Sequence, residues 1–278
     1  MKIDMHCHIR EGSIDSKVSI IEYAQKLQRF GIGGMVITDH DSFNGYKAWK
    51  SISSADKKKA GLDSFYVFKG VEYDTIDCGH MLIILPDRVK GRIFEFRGMP
   101  VVLTIWLVHQ LGGIIGPAHP YYGTIMGIAN NVKAINNEHI MKSFDFIEVY
   151  NACESTEHNE ASKELANKYN LIGIAGSDAH RIDCVGKAYT EFRSDIKTTR
   201  GLIRAVKRKD KVGLYCDNYE MTVKNRHKAI YEMSRAGFWI WHKSISRIYS
   251  IGRVKRIKKN SGIDVDSRKV RSGRYGKV

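Results

Sequence analysis

No stretch of this 278-residue chain is apolar for long enough to cross a bilayer. The longest apolar run, Val101 to Gly116, is broken by His109 and Gln110 and falls short of the roughly 20 residues that a spanning helix needs. The opening Met1, Lys2, Ile3, Asp4 leads straight into a histidine pair without an apolar signal region, so secretion by that route is not expected. Cysteine is scarce and odd in number, five residues at Cys7, Cys78, Cys153, Cys184 and Cys216. Their scattered spacing suggests neither a disulfide framework nor a zinc finger, and a reducing cytoplasm is the expected compartment. Internal repeats and low-complexity segments are also missing before residue 200. With 43% hydrophobic and 27% charged residues, nothing in the composition points to wholesale disorder or a fibre.

The length suits one barrel-sized domain with a substantial core. Lys2 to His8 alternates like a short strand and stops at polar residues, and Gly34 to Thr38 does the same before Asp39, His40 and Asp41. Further short apolar runs follow. Phe65 to Val71 ends in Glu72, Met81 to Leu85 follows Gly79 and His80, Gly113 to Pro117 runs into His119, Phe144 to Val149 ends near Asn151, and Leu171 to Ala175 runs into Asp178 and His180. Helical spacing falls between several of these, at Val18 to Phe30, Val101 to Leu111 and Asn159 to Tyr169. Strands alternating with helices predict a parallel sheet, and this many in about 200 residues predicts a closed barrel. Most of the polar clusters follow a strand's last apolar residue, where the loops of barrel enzymes converge on one mouth.

The charge is segregated. Residues 1–200 hold 24 Lys+Arg against 24 Asp+Glu, and residues 201–278 hold 21 against 6, which together make the chain's 45 and 30. The whole excess of +15 is therefore C-terminal. That tail interleaves Tyr215, Tyr219, Tyr231, Phe238, Trp239, Trp241 and Tyr249 with its cations, and Ala229 to Ile240 has the apolar face of a helix. Such a segment can contact phosphates and stack on unpaired bases; it can equally cover the barrel bottom or touch anionic lipid heads.

The chemistry starts at Asp4, His6 and His8. Two histidines two positions apart on a strand share a face, so both rings reach one metal ion. Cys7 between them reads as a small apolar residue on the opposite, buried side. The pair is a weak signal alone, but His40, Glu72, His80, His119, Asp178 and His180 recur near the ends of later strands. Core packing explains that clustering poorly and metal binding explains it well. One carboxylate, Glu72, bridging two ions would hold them at the roughly 3.5 to 4 Å of two-metal hydrolases. Asp4, Asp39 and Asp41 read as further ligands or, by preference, as acceptors that orient histidine rings, and Asn151 as either a site contact or a loop cap. His109, His139, His158, His227 and His242 lack such context.

Four motifs in order, Asp4-Met5-His6-Cys7-His8, Thr38-Asp39-His40-Asp41, Gly116-Pro117-Ala118-His119-Pro120 and Gly176-Ser177-Asp178-Ala179-His180, resemble those of the PHP family, named for polymerase and histidinol phosphatase. The resemblance covers residues 1–200. It implies an α/β fold, a distorted (β/α)7 TIM-like barrel with two or three divalent ions (manganese, zinc or iron), followed by a basic extension over 201–278 partly packed on the barrel. Carried over by motif, His6, His8, Glu72 and Asp178 would hold a first ion, Glu72, His80 and His119 a second, and His40 and His180 a third. The last site takes one more acid. Asp15 has the spacing of the polymerase branch, whereas Glu11 beside Gly12 resembles other branches; Asp15 is preferred.

The implied activity is hydrolysis of a phosphate ester, of a phosphorylated small molecule or a nucleotide, by a metal-bridged hydroxide attacking in line. His180 or a nearby acid would protonate the leaving oxygen. Arg10 and Arg181 would fork onto phosphate oxygens, with Arg92 and Arg97 as further candidates. The rival readings are a nuclease that uses the basic tail, a non-catalytic metal-binding barrel, and a related amide hydrolase, whose usual bridging lysine or glutamate near mid-chain fits less well.

Overall fold

The fold is known from a computed structural model, which describes residues 1–122 and 126–219. The helix expected at 229–240 and the aromatic residues beyond Tyr219 lie outside the described residues. From the N-terminus run β1 (Lys2–Cys7), α1 (Ile20–Arg29), β2 (Gly34–Ile37), α2 (Asn44–Ser51), α3 (Ser54–Lys59), β3 (Tyr66–Asp74) and β4 (His80–Ile84). Then come α4 (Val101–Gln110), β5 (Ile114–Pro117), α5 (Val132–Ile135), α6 (Glu138–Lys142), β6 (Phe146–Asn151) and α7 (Thr156–Lys168). The last elements are β7 (Ile172–Gly176), β8 (Ala188–Phe192), α8 (Thr199–Lys207) and β9 (Lys211–Cys216). The apolar stretch at 101–116 is split between α4 and β5, and among the described residues no helix is long and apolar enough to cross a membrane.

Seven strands form one mixed sheet in the order β5-β4-β3-β2-β1-β8-β9, curled into a half-barrel, while β6 and β7 pair separately and in parallel. The entirely parallel sheet expected from strand–helix alternation does not form. Strands β1, β2 and β3 are parallel, but β4 runs antiparallel to β3 and β5. The cause is the link between β3 and β4, only residues 75–79. A parallel crossover needs a dozen or more residues, so the chain turns back as a hairpin. At the other edge β8 is antiparallel to β1, and β9 to β8.

The β6–β7 pair lies beside the two ends of the run β1 to β5, with β6 against β5 and β7 against β1. Both seams are close because glycine stands there. A Cβ on Gly116 would lie 2.2 Å from the Phe146 carbonyl oxygen, and one on Gly176 would lie 2.3 Å from His6 Cβ. Isolated backbone bonds cross the seams, Asp145 N to Ile115 O and Asp178 N to His6 O, both 2.9 Å.

One apolar cluster joins Ile3, Met5, Val36, Phe68, Leu82 and Ile114 from the curled sheet to Phe146 and Ile174 from the pair. Helix α8 adds Leu202, Ile203 and Val206 to it, so the fold continues past residue 200. A second cluster packs α1, through Tyr23, Ala24 and Leu27, against Met35 and Ile37 of β2. Helix α1 is set by a capping box in which Ser19 and Glu22 satisfy each other's backbone amides.

Candidate metal centre

The polar strand ends converge at one rim of the curl. Strand β1 passes an irregularity in its pairing with β2 between Asp4 and Cys7. Ile3 and Met5 therefore join the interior cluster, whereas Cys7 packs with α1 and His6 and His8 face the rim. Asp4, of the same parity as His6, is turned instead to Ser177 and the Tyr23 hydroxyl. His40 follows β2 and bridges to Glu72 of β3. Because β4 runs the opposite way, its first residue, His80, reaches the same rim. His119 follows β5, and Asp178 and His180 follow β7.

Glu72 is the hub. Its Oε2 lies 2.9 Å from His40 Nδ1, 3.2 Å from His8 Nε2 and 3.4 Å from His6 Nε2. Its Oε1 lies 2.8 Å from His119 Nε2 and 2.9 Å from His80 Nδ1. Asp178 Oδ1 stands 3.1 Å from His8 Nε2 and 3.5 Å from His6 Nε2. At the outer side, Asp15 Oδ2 is 3.3 Å from His40 Nε2 and 3.4 Å from His180 Nε2. Glu11 is elsewhere: its Oε2 accepts from the amide of Ile20 at the start of α1.

These donors suit a divalent cation. Three groups have ligand atoms all within 4.8 Å of one another: His6, His8 and Glu72; His40, Glu72 and His80; His8, Asp15, His40 and His180. Among the described residues Glu72 Oε2 is buried without accepting a hydrogen bond, although three ring nitrogens crowd it. His6 Nε2 and His8 Nε2 sit 3.0 Å apart, aimed at common oxygens. A buried carboxylate oxygen left in this way is costly, and an ion among mixed imidazole and carboxylate donors would satisfy it.

Electrostatics point the same way. Burial opposes ionisation of Glu72, but His40, His80 and His6 outweigh it and hold the carboxyl well below its ordinary range. Burial opposes the charge on His6 likewise, yet Asp178, Glu148 and Glu72 raise it well above the ordinary histidine value. His8 moves down, through burial and then the neighbouring His180 and His40. The acids at the centre are thus ionised at neutral pH.

Three of the residues in left-handed backbone are here, Asp41 at φ 45°, His119 at φ 26° and Asp178 at φ 50°. Such conformations are sparsely populated away from glycine, and each is tied down. Arg97 donates to Asp41 Oδ2 through Nε at 3.0 Å and Nη2 at 2.8 Å, and its Nη1 lies 3.2 Å from Asp74. Glu148 Oε2 accepts from the His119 amide at 2.8 Å. The Tyr219 hydroxyl lies 2.9 Å from the carbonyl oxygens of Ser177 and Asp178.

Several expectations are corrected by these contacts. Asp39 and Asp41 serve backbone amides, of Ile9 and Asp74, rather than histidine rings. A carboxylate outside the four motifs meets the far side of a ring instead: Glu148 Oε1 is 3.0 Å from His6 Nδ1. The pattern that signals it is a lone acid inside the apolar run Phe146 to Tyr150. Asn151 contacts the site, donating to Glu148 Oε2 and Asp178 Oδ2. Arg97, a candidate for phosphate, is instead buried against Asp41 and Asp74. About a third of the Arg10 side chain is exposed and its Nη2 lies 3.9 Å from Glu11 Oε1, whereas Arg181 is spread on the surface against Asp183. His109 and His158 pair with Asp145 and Glu154, away from this centre.

Comparison with known proteins agrees with this geometry. A family model described as PHP-associated matches residues 156–210. An uncharacterised protein of Methanocaldococcus jannaschii is 33% identical over 196 residues, 69% of this chain and 70% of that protein. Among solved structures, PsfC of Pseudomonas syringae superposes with a TM-score of 0.55 at 14% identity, over 85% of this chain and 98% of that one. The lesion-specific endonuclease Q of Pyrococcus furiosus gives 0.54 at 16% identity, over 77% and 57%. A two-domain protein of Bacteroides vulgatus containing a predicted PHP-like metal-dependent phosphoesterase gives 0.52 at 16%, over 78% and 64%. At these identities the structural likenesses establish the fold.

Proposed function

Because this chain belongs to the PHP family, we propose that it hydrolyses a phosphate ester with two or three divalent ions, manganese, zinc or iron, at the rim described above. The observation that carries the reading is Glu72, whose two oxygens divide five imidazoles into an inner and a neighbouring group. In this reading His6, His8, Glu72 and Asp178 hold one ion, Glu72, His80 and His119 a second, and His40, His180 and Asp15 a third. The β6–β7 pair completes a distorted barrel with the curled sheet, and the basic extension assigned to residues 201–278 packs on that barrel through most of α8.

When bound, the ions supply Lewis-acid polarisation of the phosphoryl group and activation of a water at neutral pH. The protein's own residues do the rest. Ionised Glu72 and Asp178 offset the cationic charge, and their burial excludes bulk water. Arg10 presents its guanidinium fork to the non-bridging oxygens. His180 donates from Nδ1 to the Asp178 carbonyl at 2.9 Å, so in the neutral ring Nε2, on the Asp15 side, would hold an ion, and only an imidazolium with no ion on Nε2 would hand a proton to the leaving oxygen. Arg181 joins the substrate only by releasing Asp183.

The test strips the protein with chelator and restores Mn²⁺, Zn²⁺ or Fe²⁺ singly. It is then assayed on p-nitrophenyl phosphate, bis-p-nitrophenyl phosphate, nucleotides and short oligonucleotides. Metal-dependent turnover that vanishes in Glu72→Gln is expected; no bound metal and no turnover on any of them would overturn the reading. The C-terminal excess of cations favours a nucleotide or nucleic acid as the ester. Deleting residues 251–278 should then weaken salt-sensitive oligonucleotide binding and spare p-nitrophenyl phosphate hydrolysis.

A further inference from the structure

Glu148 belongs to none of the four motifs, yet it touches two parts of the centre at once. Its side chain is fully buried on β6. Oε1 faces His6 Nδ1 at 3.0 Å, while Oε2 accepts from the His119 backbone amide at 2.8 Å and from Asn151 Nδ2 at 3.1 Å. Asn151 Nδ2 also donates to Asp178 Oδ2 at 3.2 Å. Asn151 is itself fixed, its Oδ1 taking the Cys153 amide at 2.8 Å and its amide donating to Asn159 Oδ1 at 3.0 Å.

We propose that Glu148, backed by Asn151, is the positioning residue of the metal centre, which fixes the His6 ring in its ligating tautomer and pins the strained turn that presents His119. The inference rests on the metal-dependent reading above. Its chemistry follows from proton counting. A neutral imidazole carries one N–H, and its other nitrogen offers the lone pair. His6 Nε2 points into the centre, 3.0 Å from His8 Nε2 and 3.4 Å from Glu72 Oε2. To hold a cation with Nε2, the ring must carry its proton on Nδ1, and in the interior that N–H requires an acceptor. Glu148 supplies it, and an anionic partner also makes the ring a stronger ligand.

The second oxygen does different work. His119 turns at φ 26°, a conformation that persists only where its surroundings hold it. The bond from its amide to Glu148 Oε2 does so, and His119 Nε2 then meets Glu72 Oε1. Ligands of the His6 group and of the His119 group are thus set by one carboxylate on one strand. Three donors converge on Glu148, and only a group with two accepting oxygens satisfies them all. In Glu148→Gln the amide nitrogen meets either the donors from His119 and Asn151 or the His6 Nδ1, where it would drive the ring proton to Nε2. A structural role alone requires the buried shape; a positioning role requires both oxygens.

The experiment titrates Mn²⁺ calorimetrically into chelator-stripped full-length protein, with far-ultraviolet circular dichroism as a folding control. The wild type is expected to bind Mn²⁺, and folded Glu148→Gln to bind it about 10- to 100-fold more weakly. Unchanged affinity in folded Glu148→Gln would overturn the inference and leave the metal reading standing. A wild type that binds no Mn²⁺ would overturn both. If Glu148→Gln does not fold, Asn151→Ser takes its place, because it keeps the carboxylate and removes one donor to it and to Asp178. There an affinity loss of about ten-fold supports the inference, and unchanged affinity overturns it.

Discussion

At the scale of single residues, Glu72 gathers the centre. Replacing it by Gln keeps the shape and removes the charge that five imidazoles face. In the proposed hydrolase kcat/KM should fall by about three orders of magnitude, equivalent to ~4 kcal/mol, as measured on whichever phosphate ester the metal-restored wild type turns over. Glu11 differs because it serves α1 rather than the ions. Burial lifts its carboxyl to about 7 from 4.5, against hydrogen bonding to its own amide, the pull of Arg10 and the bond from Ile20. The folded state therefore holds this proton more tightly than the unfolded chain does. Its stabilisation is complete below pH 4.5 and is lost as pH rises through about 7, a change of roughly 3 kcal/mol. Urea unfolding at several pH values should show that slope in the wild type, and a flatter one in Glu11→Gln by that amount.

Among the elements, the loops of the rim are held by buried ties rather than by their own conformational preference. Arg97 is the clearest. Arising from the loop before α4, it reaches Asp41 after β2 and Asp74 at the end of β3. Arg97→Leu leaves two carboxylates buried beside each other and should cost about 3–5 kcal/mol, read as a lowered urea midpoint with an unchanged slope. Close approach matters as much at the seam between β7 and β1. A methyl on Gly176 has nowhere to go except into His6, so Gly176→Ala should cost about 1–3 kcal/mol through overpacking and weaken Mn²⁺ binding along with it. Unfolding and calorimetry on the same sample separate the two effects.

For the whole molecule, charge and metal binding govern behaviour. The described residues carry a rim rich in histidine and acid, and the cation excess lies beyond residue 200. Mn²⁺ at about 100 times its dissociation constant should stabilise the fold by about 2.7 kcal/mol, raising the melting temperature by roughly 5–11 °C for a domain of this size. Chelator should reverse the shift in the wild type. In Glu72→Gln the shift should be absent, which distinguishes binding at the centre from a general ion effect.

Much of this protein was legible in the order of its residues. Short apolar runs flanked by histidine, acid or asparagine marked seven strands, because burial selects apolar side chains and chemistry selects the polar residue at the rim. His6, His8, His40, Glu72, His80, His119, Asp178 and His180 stand together as that pattern suggested. Strands β8 and β9 and helix α8 did not stand out: β9 is mixed and half-exposed, while β8 alternates and α8 buries Leu202, Ile203 and Val206 on one face but neither leads to a histidine of the centre. Direction was not legible either, because whether β4 runs parallel depends on the five residues before it and on the partners it finds. The sequence also left Glu11 and Asp15 as rivals and hid Glu148, Arg97 and Tyr219. Those roles depend on distances between residues far apart in the chain, and a carboxylate or a guanidinium acquires its task only when folding decides what lies within 3 Å of it.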